Sequence, residues 1–573
     1  MPPQLLDVAP SPSPPLALRP RCGGKRFVEL PARDQLSVQV RSLDDLIPDD
    51  AFVRVFDAIL DVCDFSAFDA CHPGGGRPAF EPKFLCKLLL YGQCLSVRSA
   101  REVSRRLERD THFMWLAHEL TVDHETLSNF RRDFATPLED VFQQLAHLGV
   151  RLGLARLEHV SLDGTKIAAR AAREALDENR IQERLQRVNE LISKLMAEAA
   201  AVDAAEDARY GKSRGDEIPE ALRRAETRRA KLLEALALLS QSEYDHLAPG
   251  DPEAPLQKTQ DGKRPGYNGQ LAVDAEAGFI VGQALVCDQN DTAQFLPLAE
   301  QVIENTGQVP GEFAADSGYH SPETLQALAA READADPEAP ALNAYINQRR
   351  EDKDGHLGHD DFCYDADSDT YTCPEGKALA FRDTKHLGDT DYRRYRAVCS
   401  CKDCPRRAEC ITEKARYREL LVAPHEPLLR AMRQKLATPE GKRALQLRKQ
   451  TVERTFGTIK AQLGLRQFLL RGLDGAQVEF LLAAMAVNVR KLVHWLGDGG
   501  SLEQLQQAAT GRAAAVQAAT GQTAAQGVNA ALFSSSPEAA RCALCLLLGA
   551  LGASRGRRIR SRSRVAARAL SPP

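Results

Sequence analysis

The stretch RLEHVSLD, residues 156–163, decides the fold. Val160 and Leu162 fall on one side of an extended chain, Ser161 and Asp163 on the other, which is the period of a β-strand. Most of what precedes it reads as helix, so a strand here makes the chain α/β. The strand closes on an acid, Asp163, followed at once by Gly164.

Upstream, residues 1–34 are Pro-rich, lack a signal-peptide pattern and read as disordered. Residues 35–150 read as helical. VRVFDAILDVC repeats apolar residues every three or four positions. FLCKLLLYGQCL reads as a buried helix with Pro82 near its start, and SVRSAREVSRRLERD as a basic amphipathic helix. TVDHETLSNFRRDF opens on a capping residue, Thr121 or Asp123, and closes on Arg131 and Arg132. Two short helices ending in arginines suit a helix-turn-helix-like DNA contact, with Arg131 and Arg132 on phosphates. Solvated arginines on a helical scaffold are the plainer alternative.

Downstream, residues 173–240 are rich in Ala, Glu, Arg and Leu and read as a long helical hairpin. Residues 241–266 read as a linker of Pro, Gly and Asp. YNGQLAVDAEAGFIVGQALVC then places two β-rich runs around a turn at 274–278. TAQFLPLAEQVIENTG is a helix with a Gly stop. EFAADSGYH is a short strand reaching Asp316. SPETLQALAAREA is a helix capped by Ser321 with Pro322 at its first position, and LNAYIN is a fifth strand. The expected fold is a mixed five-stranded sheet with helices. EFLLAAMAVNVRKLVHWL closes it as an amphipathic helix. The Ala-, Gln-, Gly- and Ser-rich tail, which ends in RGRRIRSRSR, reads as disordered.

The chain has 573 residues, 43% hydrophobic and 27% charged, as in an ordinary globular protein. Its net charge of −4 gives no global argument for nucleic acid, so any such argument rests on local patches. No apolar run reaches the roughly 18 residues of a membrane span. Fourteen cysteines in so long a chain form no dense framework. A reducing cytoplasm with mostly buried free thiols is expected.

One local patch stands out. From Gly441 to Arg471 there are eight Lys or Arg and one acid, Glu453. At about 100° per residue, Val452, Phe456, Ile459 and Leu463 form one stripe of a helix, with Glu453, Lys449 and Lys460 beside it. A carboxylate at the edge of a buried face needs a partner. Lys449, one turn away, is one answer; a bound cation is the other.

The second answer needs more acids. Asp163 and Asp316 each close a strand, and each is followed by glycine (Asp163-Gly164, Asp316-Ser317-Gly318), read here as freedom for a sharp backbone turn. Carboxylates from two strand ends and a helix suit Mg²⁺, which takes a few carboxylates and completes its shell with water and phosphate oxygens. Two such ions can activate an attacking hydroxyl and stabilise the leaving oxygen of a phosphodiester. Nearby bases would hold the DNA backbone. Asp274, Asp288 and Asp291 are further acids able to stand in as ligands.

From about Asp34 to Trp495 the sequence resembles the DDE transposases of bacterial insertion sequences. GRPAFEPKFLCKLLLYGQCLSVRSAREV and FMWLAHELTVDHETLSNFRRDF resemble the family's N-terminal helical domain. VSLDGTKIAARAA resembles the first-aspartate motif, GYNGQLAVDAEAGFIV the following hairpin, FAADSGYHSPE the second-aspartate motif, and RKQTVERTFGTIKAQLGLRQFLLRGL the glutamate motif. The resemblance implies an RNase H-like catalytic fold with Asp163, Asp316 and Glu453 as catalytic, Mg²⁺-binding residues. Two ions are implied, with Mn²⁺ able to substitute. It implies strand cleavage and transfer at the terminal inverted repeats of a mobile element. It further implies double-stranded end and target DNA as partners, a homo-oligomer on DNA, and a place in the cytoplasm at the bacterial nucleoid. Of the family's Tyr-x2-Arg-x3-Glu-x6-Lys pattern, Glu453 and Lys460 keep the spacing, Lys449 stands at the basic position with Arg448 beside it, and Gln446 replaces the tyrosine. Arg448, Lys449 and Lys460 are thus expected on DNA phosphates.

The expected organisation is a disordered segment at 1–34 and a helical DNA-binding domain at 35–150. The catalytic core follows in two parts, 151–350, with a helical insertion at 170–262, and 426–497. A Cys-rich insertion at 351–425 separates them, and 498–573 form the tail. CSCKDCPRRAEC and YTCPEG supply Cys401, Cys404, Cys410 and Cys373 as a candidate structural Zn²⁺ set, with Cys399 or Cys363 as substitutes. Zinc would pin an insert with little apolar core of its own; unligated thiols are the alternative. Cys63, Cys71, Cys86 and Cys94 read as core packing. An inactive or repurposed DNA-binding protein, and a nuclease that cuts without strand transfer, are the competing functions.

Overall fold

The computed structural model describes residues 42–510, apart from 71–78, 171–174, 211–219, 242–245, 249, 260–261, 335–340, 349–356, 388–389 and 413. The expected disorder at 1–34, most of the tail, and Cys71 lie outside the described residues.

The helical periodicity before residue 150 gives α1 (Phe52–Asp61), α2 (Ser66–Ala70), α3 (Pro82–Cys94), α4 (Ala100–Arg106), α5 (Thr111–Leu116), α6 (His124–Asp133) and α7 (Ala135–Arg151). Pro82 opens α3. Asp123 caps α6, accepting from the backbone amides of Glu125 and Thr126 at 2.7 and 2.9 Å. Cys63, Cys86 and Cys94 are buried.

The strand opened by Val160 is β1 (Val160–Ala168), five residues longer than its alternating stretch suggested at its far end. Next come the paired helices α8 (Glu178–Tyr210) and α9 (Glu220–Gln241), then β2 (Leu256–Thr259), β3 (Gly262–Asp274), β4 (Ile280–Val286), α10 (Phe295–Thr306), β5 (Phe313–Ala315), α11 (Pro322–Asp334) and β6 (Ala344–Ile346). Gly307 ends α10 in the left-handed conformation, φ 68°, which glycine takes at no steric cost. β1 pairs antiparallel with β3 and parallel with β5, and β5 pairs parallel with β6. β4 and the short β2 both lie on the other side of β3. The sheet therefore has six strands where five were expected, and β2 falls in the stretch read as linker.

The Cys-rich segment departs further from expectation. It holds β7 (Cys363–Asp365), β8 (Thr370–Thr372), β9 (Ala378–Leu387), β10 (Thr390–Ala397), the short α12 (Arg407–Cys410) and β11 (Glu419–Val422). The strands form a second, five-stranded antiparallel sheet in the order β11-β10-β9-β8-β7. It has a core of its own: Phe362, Tyr371, Leu379, Tyr395, Leu420 and Val422 are buried together.

The chain then returns to the first sheet through α13 (Glu426–Ala437), α14 (Pro439–Gly457), a π-turn at Thr458–Gln462, and α15 (Leu473–Gly497). α15 packs against α1, α3, α6 and α7 on one side and β4 on the other, so the front helices and the sheet share one buried core. Among the described residues, no helix is long and apolar enough to cross a membrane.

Candidate active site

Register brings the two aspartates together. Leu162 on β1 is opposite Ala315 on β5. The next residue on each parallel strand is Asp163 and Asp316. Burial, first, pushes the Asp163 carboxyl up to about 6; Arg448 opposes this, and the neighbouring Asp316 adds to it. Asp316 is braced by the backbone amide of Gly318, which donates to its Oδ1 at 2.7 Å.

α14 crosses the same strand. Arg448 Nη1 donates to Asp163 Oδ2 at 2.9 Å. Two turns beyond Glu453, Lys460 donates to Thr165 Oγ1 and, at 3.4 Å, to the carbonyl of Lys166. Val452, Ile459 and Leu463 of the expected stripe are fully buried. Glu453 lies between these two points of contact with β1, but it is exposed. Among the described residues it has no ion pair with Lys449. Register and charge thus place Asp163 beside Asp316. No group of three or more His, Cys, Asp or Glu among the described residues is arranged to hold a metal ion.

Of the residues expected on DNA, Lys449 is exposed and Arg132 is exposed beside Asp133, to which it donates at 2.9 Å. Lys460 is half-buried against β1. One expectation needs correction. Arg131 is 4% exposed and donates to the carbonyl of Arg98 at 3.2 Å, because it sits on the inner face of α6; it braces the fold and cannot reach a phosphate from there. Arg448, with its guanidinium on Asp163, is a partner of the carboxylate pair.

The zinc set is also corrected. Cys373, Cys401 and Cys404 are near enough to Cys410 to push its thiol further up, after burial. They do not form a metal-holding group. Cys373, Cys401 and Cys410 pack instead against the aromatic core of the second sheet. That core removes the reason for which zinc was expected.

The other acids divide. Asp274 is buried at the far end of the sheet and accepts from the amides of Leu157 and Glu276, a bracing role. Asp288 accepts from Gln294 Nε2 at 2.6 Å. Asp291 stands behind the aspartate pair. Its Oδ1 accepts from Asn268 Nδ2 and Gln270 Nε2, both at 2.6 Å, and Lys166 Nζ is 3.6 Å away. Lys166 itself went unnoticed in the sequence. Its spacing of three from Asp163 puts it on the opposite face of β1, and only the register with Asn268 shows what it meets.

With the geometry in place, comparison with known families gives two matches. Residues 41–133 match the family described as Transposase domain (DUF772), and residues 372–493 match the Transposase DDE domain. The first covers the front helices through α6. The second runs from the end of β8 into α15 and includes Glu453, but neither aspartate. Both segments are of transposase type, as in an insertion-sequence DDE transposase, and they indicate a role in transposition. No curated protein and no solved structure matches the chain.

Proposed function

We propose that the chain is a DDE transposase that cleaves DNA strands at the terminal inverted repeats of an insertion sequence and transfers them to target DNA, on an RNase H-like core. The observation that carries this is Asp163 beside Asp316, each the next residue after the last paired position of adjacent parallel strands, with α14 crossing them. The strand order β4-β3-β1-β5-β6, with only β3 antiparallel to its neighbours β1 and β4, supports an RNase H-like reading of the sheet. Two hard oxygen donors side by side fit Mg²⁺, which needs only one or two carboxylates beside substrate phosphates. Asp163 and Asp316 would hold it, with Glu453 coming in from α14. When bound, it would supply Lewis-acid activation of the phosphodiester. Arg448 would keep Asp163 ionised. Lys449, Lys460 and Arg132 would hold phosphates, with an oligomer assembled on the DNA and the front helices bearing on the end repeats.

The test is Mg²⁺-dependent cleavage of DNA carrying the element's end repeats. Asp163→Asn, Asp316→Asn and Glu453→Gln should each abolish cleavage and leave DNA binding within about threefold. A variant that still cuts removes its residue from the site.

A second reading, a DNA-binding protein without chemistry, is favoured by one observation: Glu453 is exposed while Arg448 already neutralises Asp163. Wild-type protein that binds end-repeat DNA and never cuts it with Mg²⁺ or Mn²⁺ would establish that reading.

A further inference from the structure

Gly164 and Gly318 follow the two aspartates, yet neither takes a positive φ among the glycines that do. Gly164 lies inside β1 and Gly318 in the turn after Asp316, but neither needs a left-handed backbone, so something else requires glycine there. A Cβ on Gly164 would stand 2.6 Å from Asp291 Oδ1 and 2.7 Å from Gln270 Nε2. A Cβ on Gly318 would stand 2.9 Å from Asp316 Oδ1 and 3.1 Å from Asp291 Oδ2. One carboxylate therefore touches the residue after Asp163 with one oxygen and the residue two after Asp316 with the other.

That carboxylate is itself fixed. Asn268 and Gln270, both fully buried on β3, donate to the same oxygen. The Gln270 amide is held at its other end by the Tyr319 hydroxyl, three residues after Asp316. Lys166 stands beside the cluster, its Nζ 3.6 Å from the same oxygen.

We propose that Asp291 is a positioning residue for the aspartate pair. It is seated between the two aspartate-bearing segments from behind the sheet and sets how far apart Asp163 and Asp316 stand. This rests on the reading of Asp163 and Asp316 as the reacting pair. Asp291 acts through the two glycines and through Gln270 and Tyr319. Its Oδ1 is filled by amide donors, and the Asp291→Asn protein below separates positioning from metal ligation.

Two measurements test this. The first is the Mn²⁺ concentration for half-maximal cleavage of end-repeat DNA. Asp291→Ala should raise it by about tenfold, the usual scale for losing a group that orients a ligand, with DNA binding in Ca²⁺ unchanged. Asp291→Asn keeps an acceptor for Asn268 and Gln270 and should restore most of the loss. An unchanged Asp291→Ala protein would overturn the proposal. An Asp291→Asn protein as impaired as Asp291→Ala would overturn it too, by making Asp291 a ligand. The second measurement is thermal unfolding of Gly164→Ala in both backgrounds. The added methyl should lower the Tm markedly in the wild type and less in Asp291→Ala. Equal losses would show that the carboxylate does not set the glycine's space. This second arm needs no catalysis, so a wild-type protein that never cleaves DNA defeats the proposed function and still leaves the seating of Asp291 to be judged.

Discussion

Arg448 donates to Oδ2 of Asp163 at 2.9 Å, which pins the helix bearing Glu453 to the strand bearing the first aspartate. Both side chains are mostly buried, 16% and 21% exposed. Removing one partner leaves the other charge in a poor solvent. Arg448→Ala should therefore cost about 2 kcal/mol of stability, somewhat under the loss for a fully buried pair, and should push the Asp163 carboxyl further up. Arg448→Lys should recover part of the stability. Urea unfolding of the three proteins, in chelator, checks the order.

Asp163 also predicts a pH dependence. Its carboxyl is raised from 3.8 to about 6 in the folded chain, so between those values the native state binds the more protons. Stability of the metal-free protein should then fall as pH rises through this window, and be lowest above it. The shift corresponds to at most about 3 kcal/mol. Asp163→Asn should remove that slope. Denaturant titrations at pH 4.5 and 7 with chelator read the difference, and equal slopes for the two proteins would contradict the assignment.

Much of this site was legible. β1, β3, β4 and β5 follow from alternation and turn residues, but β1 runs on past Asp163 to Ala168, and the register that joins Asp163 to Asp316 appears only once β1 and β5 are paired. Other parts were not. β9 and β10 carry so many charges that no apolar alternation survives. Their strands are held by pairs such as Arg394 with Asp383 and by Arg393 over Phe381, which appear only once the strands are side by side. The exposure of Glu453 escaped because α14 turns its inner face through Ala444, Arg448, Thr451 and Thr455, and an arginine at the centre of a buried face is invisible until Asp163 is opposite it. Asp291 was one acid among several until the space beside Gly164 and Gly318 singled it out.

The second sheet offers a contest between thiols and aromatics. Tyr395 is 1% exposed and makes edge-to-face contacts with Tyr371 and Phe381, ring centroids 4.9 and 5.8 Å away. Its hydroxyl donates to Asp369 at 2.6 Å. Tyr395→Ala should cost about 3 kcal/mol or more. Cys404→Ser should cost under about 1 kcal/mol and leave zinc content, measured by elemental mass spectrometry, the same as in the wild type. A large loss of stability together with lost zinc in Cys404→Ser would reinstate the metal.

The last prediction concerns how the two transposase-type segments are joined. Arg98, in the first, donates to Glu479, in the second, at 2.7 Å, and also to the carbonyls of Gly464 and Gln467, both at 2.6 Å. Glu479 is 3% exposed and accepts from the amides of Leu469 and Leu470 as well. These bonds tie the loop before α4 to the turn between the π-turn and α15, so the front helices are locked to the segment that follows Glu453. Arg98→Ala would leave a buried carboxylate short of its cation and free two carbonyls, a loss of about 3–5 kcal/mol. Glu479→Gln keeps the shape, leaves the arginine its carbonyls and should cost less than half as much. If the front helices melted in a separate transition in the wild type, or if Arg98→Ala unfolded at the wild-type denaturant midpoint, the lock would not exist. A single transition shifted well down in Arg98→Ala is the expected record, because α15 packs on both the helices and β4 and cannot leave one without the other.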